Sequence, residues 1–409
     1  YDDKVPVRII EEKTIPNCGG DYNDPLTTIV EYGYDKVGNV IRQGFSSASV
    51  QYKKVVKSEY AESYKYMYKT KSIDELGREI RCDYDADYGY MSSTIDYNGF
   101  VTLNEKDPLG IDDIVKLPDG MENMRAIRWA ENNEHAPLDA TYYTWDRNTG
   151  SAEKMIFYHK SGVELRQVSF DIKGDAIYID KKYDDYGNLT QESLPYYKGD
   201  DKYYVSNVYD KYNRMVERRL PNSMICSVNY NGNTITTEYL STNGDRKTKK
   251  ETYNFMGWII SVEDVGGNEI VYDYYSDGLV KSASISNNPN SKIIVTYDNL
   301  RNKKTLQDPN CGLLSYQYDA LGNMLKVTNP NGCVVEYRYD VLGRVLSKNV
   351  KDPLMAQTNS IQWIYGDEKG NDGMLMKIIG DNHKIEYTYD SHLRLSNSSE
   401  TINGKQYTT

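Results

Sequence analysis

The stretch Tyr318-Asp319-Ala320-Leu321-Gly322-Asn323-Met324 decides the fold of this chain, because it returns 21 residues later as Tyr339-Asp340-Val341-Leu342-Gly343-Arg344-Val345. In both copies Tyr is followed at once by Asp, three positions later by Gly, and then by Asn or Arg and an apolar residue. A period of about 20 to 50 residues is typical of proteins built from stacked copies of one small unit. The sequence therefore predicts a repeat array rather than an ordinary globule.

Further copies of this motif occur along much of the chain. Two fit the template fully, Tyr34-Asp35 with Gly38 and Tyr183-Asp184 with Gly187. Copies with one change are Tyr209-Asp210 with Asn213, Tyr253-Asn254 with Gly257, Tyr297-Asp298 with Arg301, and Tyr389-Asp390 with Leu393. Looser echoes begin at Ile73-Asp74, Ile95-Asp96, Phe170-Asp171 and Tyr274-Tyr275. The motif is regular over residues 183–409 and diverged over residues 1–182, and we expect one continuous repeat domain.

Each copy is predicted to be a β-hairpin. The segment before the motif alternates, so that Tyr337 and Tyr339 share one face of a strand and Glu336 and Arg338 the other. The Asp that follows can accept a hydrogen bond from the backbone N–H two residues on, and Gly supplies the positive φ that closes a short loop. Asn213 in the glycine position fits, because Asn tolerates left-handed geometry well.

Two copies fit this turn less well. Arg301 and Leu393 occupy the glycine position, so we expect turns of different geometry there, with backbone strain at Leu393.

A second turn signal falls between motifs, as in Asn329-Pro330-Asn331-Gly332, where Pro fixes φ early and Gly takes the later position. Two turns in each repeat leave two strands of about six residues. The best helical candidate is residues 122–131, and a strand is an equally good interpretation of that segment. The predicted fold class is therefore all-β, with tandem hairpins forming a long twisted, spiralling sheet.

The composition excludes some functions. The 409 residues carry a formal charge of −11, which argues against nucleic acid as a partner. The chain has 40 Tyr and 5 Phe, which suits a sheet with a wet face, because Tyr covers apolar area while its hydroxyl stays hydrogen-bonded. No stretch is apolar enough to predict a membrane span.

The five cysteines, at positions 18, 82, 226, 311 and 333, show no metal-site spacing. Cys311 and Cys333 lie near equivalent turns. Their register differs by one residue, which should point them to opposite faces, so free thiols are favoured over a disulfide.

With these motifs in hand, the sequence resembles the Rhs, or YD-repeat, family. One longer order of elements adds to the likeness, from Trp145-Asp146 through Val168-Ser169-Phe170-Asp171 and Glu192-Ser193-Leu194-Pro195-Tyr196-Tyr197 to Tyr209-Asp210. It is similar to the shell subunits of bacterial toxin complexes and related large secreted proteins, and the teneurins carry a related shell. The resemblance implies a ribbon wound into a hollow shell that encloses a toxic or effector domain of the same or a neighbouring chain. It also implies a bacterial protein that is secreted or on the cell surface.

The family's other hallmark is a core segment built on Asp-Pro-x-Gly elements, which is self-cleaving in some members. The chain matches it only at Asp107-Pro108-Leu109-Gly110, far upstream of the last repeats, and a hairpin turn is the favoured interpretation. The resemblance therefore covers the shell wall and not the core segment or the cargo.

The sequence predicts no enzyme. It has no Gly-x-Ser-x-Gly elbow, phosphate loop or dinucleotide fingerprint. The many Asp residues recur with the repeat, so one turn role explains them, whereas a catalytic pair would be singular. No catalytic residue, cofactor or metal ligand is predicted.

Two binding interpretations remain. The favoured one is a structural shell segment that encapsulates or scaffolds a cargo domain. The alternative is a cell-surface carbohydrate-binding or adhesion module, in which exposed aromatic rings stack on sugar rings. The candidate sugar contacts are Trp129 and Trp145, because both lie in the least regular part of the array.

Overall fold

The computed structural model describes residues 8–16, 24–50, 53–107, 109, 111–286, 288–354 and 358–409. These residues form 35 β-strands and one short 3-10 helix, Glu62–Tyr64, and the described part of the chain has no α-helix. The strands belong to one antiparallel sheet. The prediction of an all-β fold made of tandem hairpins is confirmed.

The strands have the following bounds. The first eighteen are β1 Glu11–Thr14, β2 Thr28–Tyr34, β3 Val40–Ser47, β4 Lys54–Tyr60, β5 Lys69–Ile73, β6 Glu79–Tyr84, β7 Met91–Ile95, β8 Val101–Lys106, β9 Asp112–Lys116, β10 Glu122–Trp129, β11 Tyr142–Asn148, β12 Lys154–Tyr158, β13 Glu164–Phe170, β14 Ala176–Tyr183, β15 Leu189–Ser193, β16 Tyr196–Tyr197, β17 Tyr204–Tyr209 and β18 Met215–Arg219. The others are β19 Ile225–Asn231, β20 Thr234–Leu240, β21 Arg246–Tyr253, β22 Ile259–Glu263, β23 Glu269–Tyr274, β24 Val280–Ile285, β25 Asn288–Tyr297, β26 Lys303–Asp308, β27 Gly312–Tyr318, β28 Met324–Thr328, β29 Val334–Tyr339, β30 Val345–Lys351, β31 Asn359–Tyr365, β32 Leu375–Ile379, β33 His383–Tyr389, β34 Leu395–Ile402 and β35 Lys405–Thr408.

The chain divides into two compact units. Unit 1 consists of residues 1–103 and 293–409, and unit 2 of residues 104–292. In each run of hairpins a strand pairs with the strand that follows it, as β2 does with β3 in unit 1 and β10 with β11 in unit 2. In unit 2, β14 pairs with both β15 and β16, and β15 pairs next with β17. The division at residues 182 and 183 rests on motif regularity and stays a prediction.

The motif turns have the predicted geometry. At Asp340 the carboxylate Oδ1 accepts the backbone N–H of Leu342 at 2.9 Å and of Arg344 at 2.8 Å. The N–H of Gly343 donates to the carbonyl of Asp340 at 3.0 Å, and Gly343 has a φ of +83°. The second oxygen of Asp340 accepts Nε of Arg344 at 2.6 Å. The aspartate therefore holds the whole turn, and glycine allows the backbone to close it.

The expectation of a different geometry at Arg301 and Leu393 is wrong. Their φ values are +69° and +62°, and each N–H donates to the carbonyl of the turn aspartate at 3.0 Å, as glycine does in the other copies. The aspartate contacts over-determine the turn, so the non-glycine residue is forced into the left-handed region. The expected strain at Leu393 fits this positive φ.

Three other expectations are resolved. Residues Glu122–Trp129 form a strand and not a helix.

The Asp107 segment lies between β8 and β9. The side chain of Asp107 accepts the backbone N–H groups of Ile111 and Asp112, as a hairpin turn requires. Pro108 and Gly110 lie outside the described residues. The described cysteines, Cys82, Cys226, Cys311 and Cys333, are free, and Cys18 lies outside the described residues.

Successive turns of a meander fall alternately on its two sides, where the strands end. In each unit we call the side that carries the turns of the Tyr-Asp copies the motif edge, and we call the other side the opposite edge. Neither name refers to an edge strand. The turns after Ile73, Ile95 and Phe170 follow β5, β7 and β13, so they lie at the opposite edge. These three looser echoes are therefore not copies of the motif. They share its aspartate and glycine but lack the tyrosine.

In unit 1 the opposite edge of residues 8–103 meets the motif edge of residues 293–409. The side-chain oxygen of Asn98 accepts the N–H groups of Gly370 and Asp372, both at 3.1 Å, and its amide nitrogen donates to the carbonyl of Asp372 at 3.3 Å. Ser49 Oγ accepts the N–H of Ala320 at 3.0 Å. The two runs of hairpins, far apart in sequence, are thus joined edge to edge.

Charged and aromatic groups add to this junction. Arg78 lies 3.6 Å from Asp372 and 4.3 Å over the ring of Tyr97, and the rings of Phe100 and His392 are 6.5 Å apart. The loop that receives Asn98, residues 366–374, is longer than the other motif turns and has Gly366 in place of the aspartate. The irregular repeat at Tyr365 therefore supplies the loop that Asn98 and Arg78 of the other run contact.

Replacing Gly343 with Val should destabilise its hairpin by about 1 to 3 kcal/mol, because a β-branched side chain is forced into a positive φ. The Gly343→Asn variant is the control, since Asn tolerates this region, and it should lose much less. Thermal unfolding and hydrogen exchange over residues 337–348 would measure both. Equal stability of the two variants would contradict the turn assignment.

Replacing Asn98 with Ala removes three hydrogen bonds between the two runs of unit 1. We expect faster hydrogen exchange both near residues 96–100 and near residues 366–374, and a loss of about 1 to 3 kcal/mol. The matched control is Asn302→Ala, since the Asn302 amide donates to Asp298 within a single turn, at 3.2 Å. Exchange that changes only near residue 98 would show that the junction does not couple the runs.

Candidate functional site

The motif edge owes its order to the repeat tyrosine, whose hydroxyl reaches back to the preceding hairpin. Tyr339 Oη donates to the carbonyl of Met324 at 2.9 Å, and Met324 is the first residue of the return strand before it. Tyr365 donates to Val345 at 3.2 Å and Tyr389 to Leu375 at 2.8 Å in the same way. The same bond joins Tyr84 to Lys69, Tyr209 to Leu189, Tyr230 to Met215 and Tyr274 to Ile259. Seven hairpins are thereby joined to the hairpin that precedes them.

A β-bulge accompanies most of these tyrosines. Arg338 pairs with Ser347 but Tyr339 pairs with Val345, so Leu346 is one residue extra on the return strand. The same shift occurs at Tyr318, Tyr365 and Tyr389. Bulges increase local twist and redirect side chains, and here each falls at the repeat tyrosine that ends the strand. The sequence pattern did not predict it.

Several copies of the repeat tyrosine escaped the sequence analysis. Tyr60, Tyr84, Tyr158 and Tyr365 each end a strand on the motif edge, and Tyr230 is the last residue but one of β19. Their turns differ in length from the template, as in Tyr84-Asp85, where Gly89 comes one residue later than expected. Strand-final tyrosines at intervals of about 20 to 30 residues, counted without the glycine, would have revealed them.

Burial raises the pKa of five of these hydrogen-bonded tyrosines above the ordinary value near 10. Desolvation is the largest cause for Tyr84, Tyr274, Tyr339, Tyr365 and Tyr389. In these positions the hydroxyl must remain protonated to donate to the carbonyl. The folded chain therefore favours the neutral phenol.

The two faces of residues 293–409 differ in chemistry. One face carries the paired series Tyr316, Val327, Val335 and Val350, and the partly buried rings of Tyr337 and Tyr339 stack there with centroids 6.5 Å apart. The other face carries ion pairs such as Glu336 with Lys351 at 2.8 Å and Lys377 with Glu386 at 3.0 Å. The predicted separation of Tyr337 and Tyr339 from Glu336 and Arg338 matches this arrangement.

Unit 2 contains a small core and a polar cluster beside it. The buried residues that pack together in this core are Ala130, Phe157, Val168, Tyr178 and Tyr196.

Asp180 lies at the centre of the polar cluster. Its carboxylate accepts Arg166 Nε at 2.6 Å, Tyr196 Oη at 2.7 Å and Lys202 Nζ at 2.8 Å. Burial alone would raise the pKa of Asp180, but these hydrogen bonds lower it to about 2. A carboxylate held ionised by three donors is suited to fixing strands and poorly suited to proton transfer.

The two tryptophans proposed as sugar contacts lie on opposite faces of the sheet. Trp129 pairs with Tyr142, and Trp145 pairs with Ala126, three residues before Trp129 on β10. Trp129 is 75% exposed, whereas Trp145 is half-buried and donates through Nε1 to Glu153 at 3.1 Å. They cannot form one platform. Each remains a separate prediction as a sugar contact.

No candidate metal site appears among the described residues. They contain no group of three or more His, Cys, Asp or Glu that could hold a metal ion. Within the same part of the chain, no helix is long and apolar enough to cross a membrane. What recurs is a structural arrangement of tyrosine, aspartate and glycine.

Comparison with known proteins supports this interpretation. Residues 318–354 match the family model described as RHS Repeat, which confirms the resemblance seen in the motif. None of the curated proteins matches the sequence.

Three solved structures are similar in fold. The Photorhabdus luminescens Tc holotoxin pore matches with a TM-score of 0.72 and 12% identity, over 96% of this chain and 26% of that chain. The crystal structure of TcdB2-TccC3 matches with a TM-score of 0.62 and 12% identity, over 92% of this chain and 26% of that chain. The crystal structure of TcdB2-TccC3 without its hypervariable C-terminal region matches with a TM-score of 0.61 and 12% identity, over 97% of this chain and 30% of that chain. The chain thus spans less than a third of their length, and at these identities the likeness shows the fold alone.

Raising the pH above 10 should destabilise the protein through the repeat tyrosines. The pKa of Tyr84, Tyr274, Tyr339, Tyr365 and Tyr389 is raised in the folded state, so the contribution of these five is complete below pH 10 and is lost as the pH rises through the folded pKa. Unfolding by denaturant at pH 8 to 12 would measure this.

The Tyr339→Phe variant should lose about 1 kcal/mol at pH 8, with its hydrogen bond, and should then lose less between pH 10 and 12 than the unchanged protein. The control is Tyr186→Phe, because Tyr186 is 83% exposed and its hydroxyl has no hydrogen bond within the described residues. If both variants behaved alike at every pH, the tyrosine bonds would not stabilise the array.

Proposed function

We propose that this chain, which carries RHS repeats, is a wall segment of a larger secreted or cell-surface bacterial protein that encapsulates or scaffolds a toxin or effector domain. The observation that carries the proposal is the junction of unit 1, where the opposite edge of one run of hairpins binds the motif edge of another. A ribbon whose successive runs join through their turns in this way can build a continuous wall, whereas an isolated ribbon leaves both rows of turns exposed.

The two faces support the same role. A charged face with ion pairs suits solvent, and a face of Val and Tyr suits contact with another polypeptide. We place the Val and Tyr face toward the cargo. Tyrosine gives that face apolar area while most of the repeat hydroxyls stay occupied by carbonyls, so the wall offers broad, weak contacts rather than one specific pocket.

A wall role also accounts for the chemistry of the aspartates. They are distributed along the motif edge, and each is committed to its own turn, as Asp319 is to the N–H groups of Leu321 and Asn323, both at 2.9 Å. Groups that are serial and occupied in this way support a structural role and not a catalytic one. Any toxic activity would belong to the enclosed domain.

Protease protection in the complete natural polypeptide would test the proposal. We expect the domain enclosed by the wall to resist proteinase K in native buffer, and to become sensitive when Arg78 and Asn98 are both replaced by Ala, because these residues join the two runs. The Asn302→Ala variant is the control and should leave protection intact. Digestion of that domain at the rate it shows when expressed alone would refute encapsulation.

A further inference from the structure

One strand of unit 2 ends in tryptophan at the motif edge, where β12 and β14 end in tyrosine. Trp129, the last residue of β10, is 75% exposed. It pairs with Tyr142 of β11, but the ladder between β9 and β10 ends at the pair Asp112 and Ala126, so Trp129 has a strand partner on one side only. The indole ring is therefore largely open to solvent.

The loop that follows Trp129, residues 130–141, is fixed against the core of unit 2. Ala136 and Ala140 pack on the buried residues of that core. His135 Nδ1 lies 2.8 Å from the hydroxyl of Tyr178, which is itself a core residue. A loop held in this way loses little conformational entropy when a partner binds to its outer side.

Trp129 and this loop line an open cavity of about 520 Å³. The lining is apolar at Trp129, Pro137 and Leu138, and Leu138 is 99% exposed. It is polar at Glu131, which is two residues after the tryptophan. An aromatic and aliphatic surface with a few polar groups is typical of binding cavities.

The loop carries negative charge and no fixed positive charge. Glu131, Glu134 and Asp139 all lie within residues 130–141, which contain no Lys or Arg. None of these three carboxylates forms an ion pair with another residue that the structure describes. A cation that enters the cavity therefore meets an aromatic ring and a carboxylate that is not already paired.

We propose that this cavity binds an arginine side chain of a basic polypeptide segment. A guanidinium group is planar, so it can stack on the indole of Trp129 while it pairs with the carboxylate of Glu131. An apolar residue beside the arginine contacts Leu138. The formal charge of −11 attracts a basic partner to the chain as a whole. The inference is independent of the wall function.

The sugar contact predicted at Trp129 uses the same ring. A neutral sugar gains little from a loop that carries three carboxylates and no Lys or Arg, whereas a guanidinium gains an ion pair. The charge of the loop therefore favours arginine over a sugar.

Fluorescence anisotropy would test this proposal, with the 409-residue chain and a fluorescein-labelled peptide of alternating Arg and Leu. We expect saturable binding that weakens about tenfold in Trp129→Ala and about threefold in Glu131→Gln, because the first variant loses the stacking surface and the second an exposed ion pair. The matched controls are Tyr186→Ala, which removes another exposed ring, and Asp201→Asn, which removes another exposed negative charge of unit 2. Both controls should bind the peptide as the unchanged protein does.

Four results would overturn the proposal. The first is no saturation at about 1 mM peptide. The second is equal binding of a peptide that has Glu in place of Arg, which would show contact with leucine alone. The third is an equal loss in Asp201→Asn and Glu131→Gln, which would show attraction to the overall charge. The fourth is binding on a glycan array that Trp129→Ala abolishes and Glu131→Gln leaves unchanged, which would assign the cavity to a sugar.

Discussion

The hydrogen bond from the repeat tyrosine to the carbonyl of the preceding hairpin is the interaction on which the rest of the structure depends. A single sheet of hairpins has little interior: among the described residues the largest fully buried side chains are Phe157 and Val168, both in the small core of unit 2. Elsewhere stability must come from contacts between neighbouring hairpins, as in other repeat proteins. Tyr supplies both parts of such a contact, a ring that covers apolar area and a hydroxyl that occupies a carbonyl. This explains why the chain uses 40 Tyr and only 5 Phe.

The aspartate turn fixes where the return strand begins, and the first residue of that strand is the one that accepts the tyrosine hydroxyl. Its carboxylate holds two or three backbone N–H groups, so the loop closes in one conformation whether Gly, Asn, Arg or Leu occupies the left-handed position. At Asp390 the backbone N–H of Arg394 is the largest of the influences that lower the pKa to about 2, which keeps the carboxylate ionised at neutral pH. The turn is thus robust to substitution at the glycine, and the repeat can diverge in sequence while each return strand still begins where the next hydroxyl can reach it.

The turns at the two edges determine how one run of hairpins can bind another. Every repeat presents one turn at the motif edge and one at the opposite edge, and backbone groups that these turns leave unpaired can bind a second run of hairpins. In unit 1 the two kinds of edge are complementary, because Ser49 accepts the N–H of Ala320, which Asp319 leaves free, and Asn98 accepts N–H groups of a loop that has Gly366 in place of the turn aspartate. The irregular loop 366–374 belongs to this contact, so its departure from the motif reflects binding between runs and not loss of the repeat. In unit 2 the polar cluster around Asp180 has a comparable local role, since it fixes the strands where β14 is shared by two neighbours.

The sequence by itself determined the hairpin, its turn and its faces, because alternation, an aspartate at the strand end and a residue that tolerates positive φ act within a few neighbouring residues. It identified the copies at Tyr318 and Tyr339 for this reason, and it favoured a single role for the serial aspartates. It missed Tyr84 and Tyr365, whose turns differ in length, and it misjudged Arg301 and Leu393, because the aspartate contacts outweigh the local preference of the residue. It also counted the turns after Ile73 and Ile95 as copies of the motif. Only the tertiary structure decided which edge each turn occupies, that Tyr339 bonds to Met324, and that Asn98 contacts Asp372. These contacts join different hairpins, and a local sequence pattern does not show which hairpins lie next to each other.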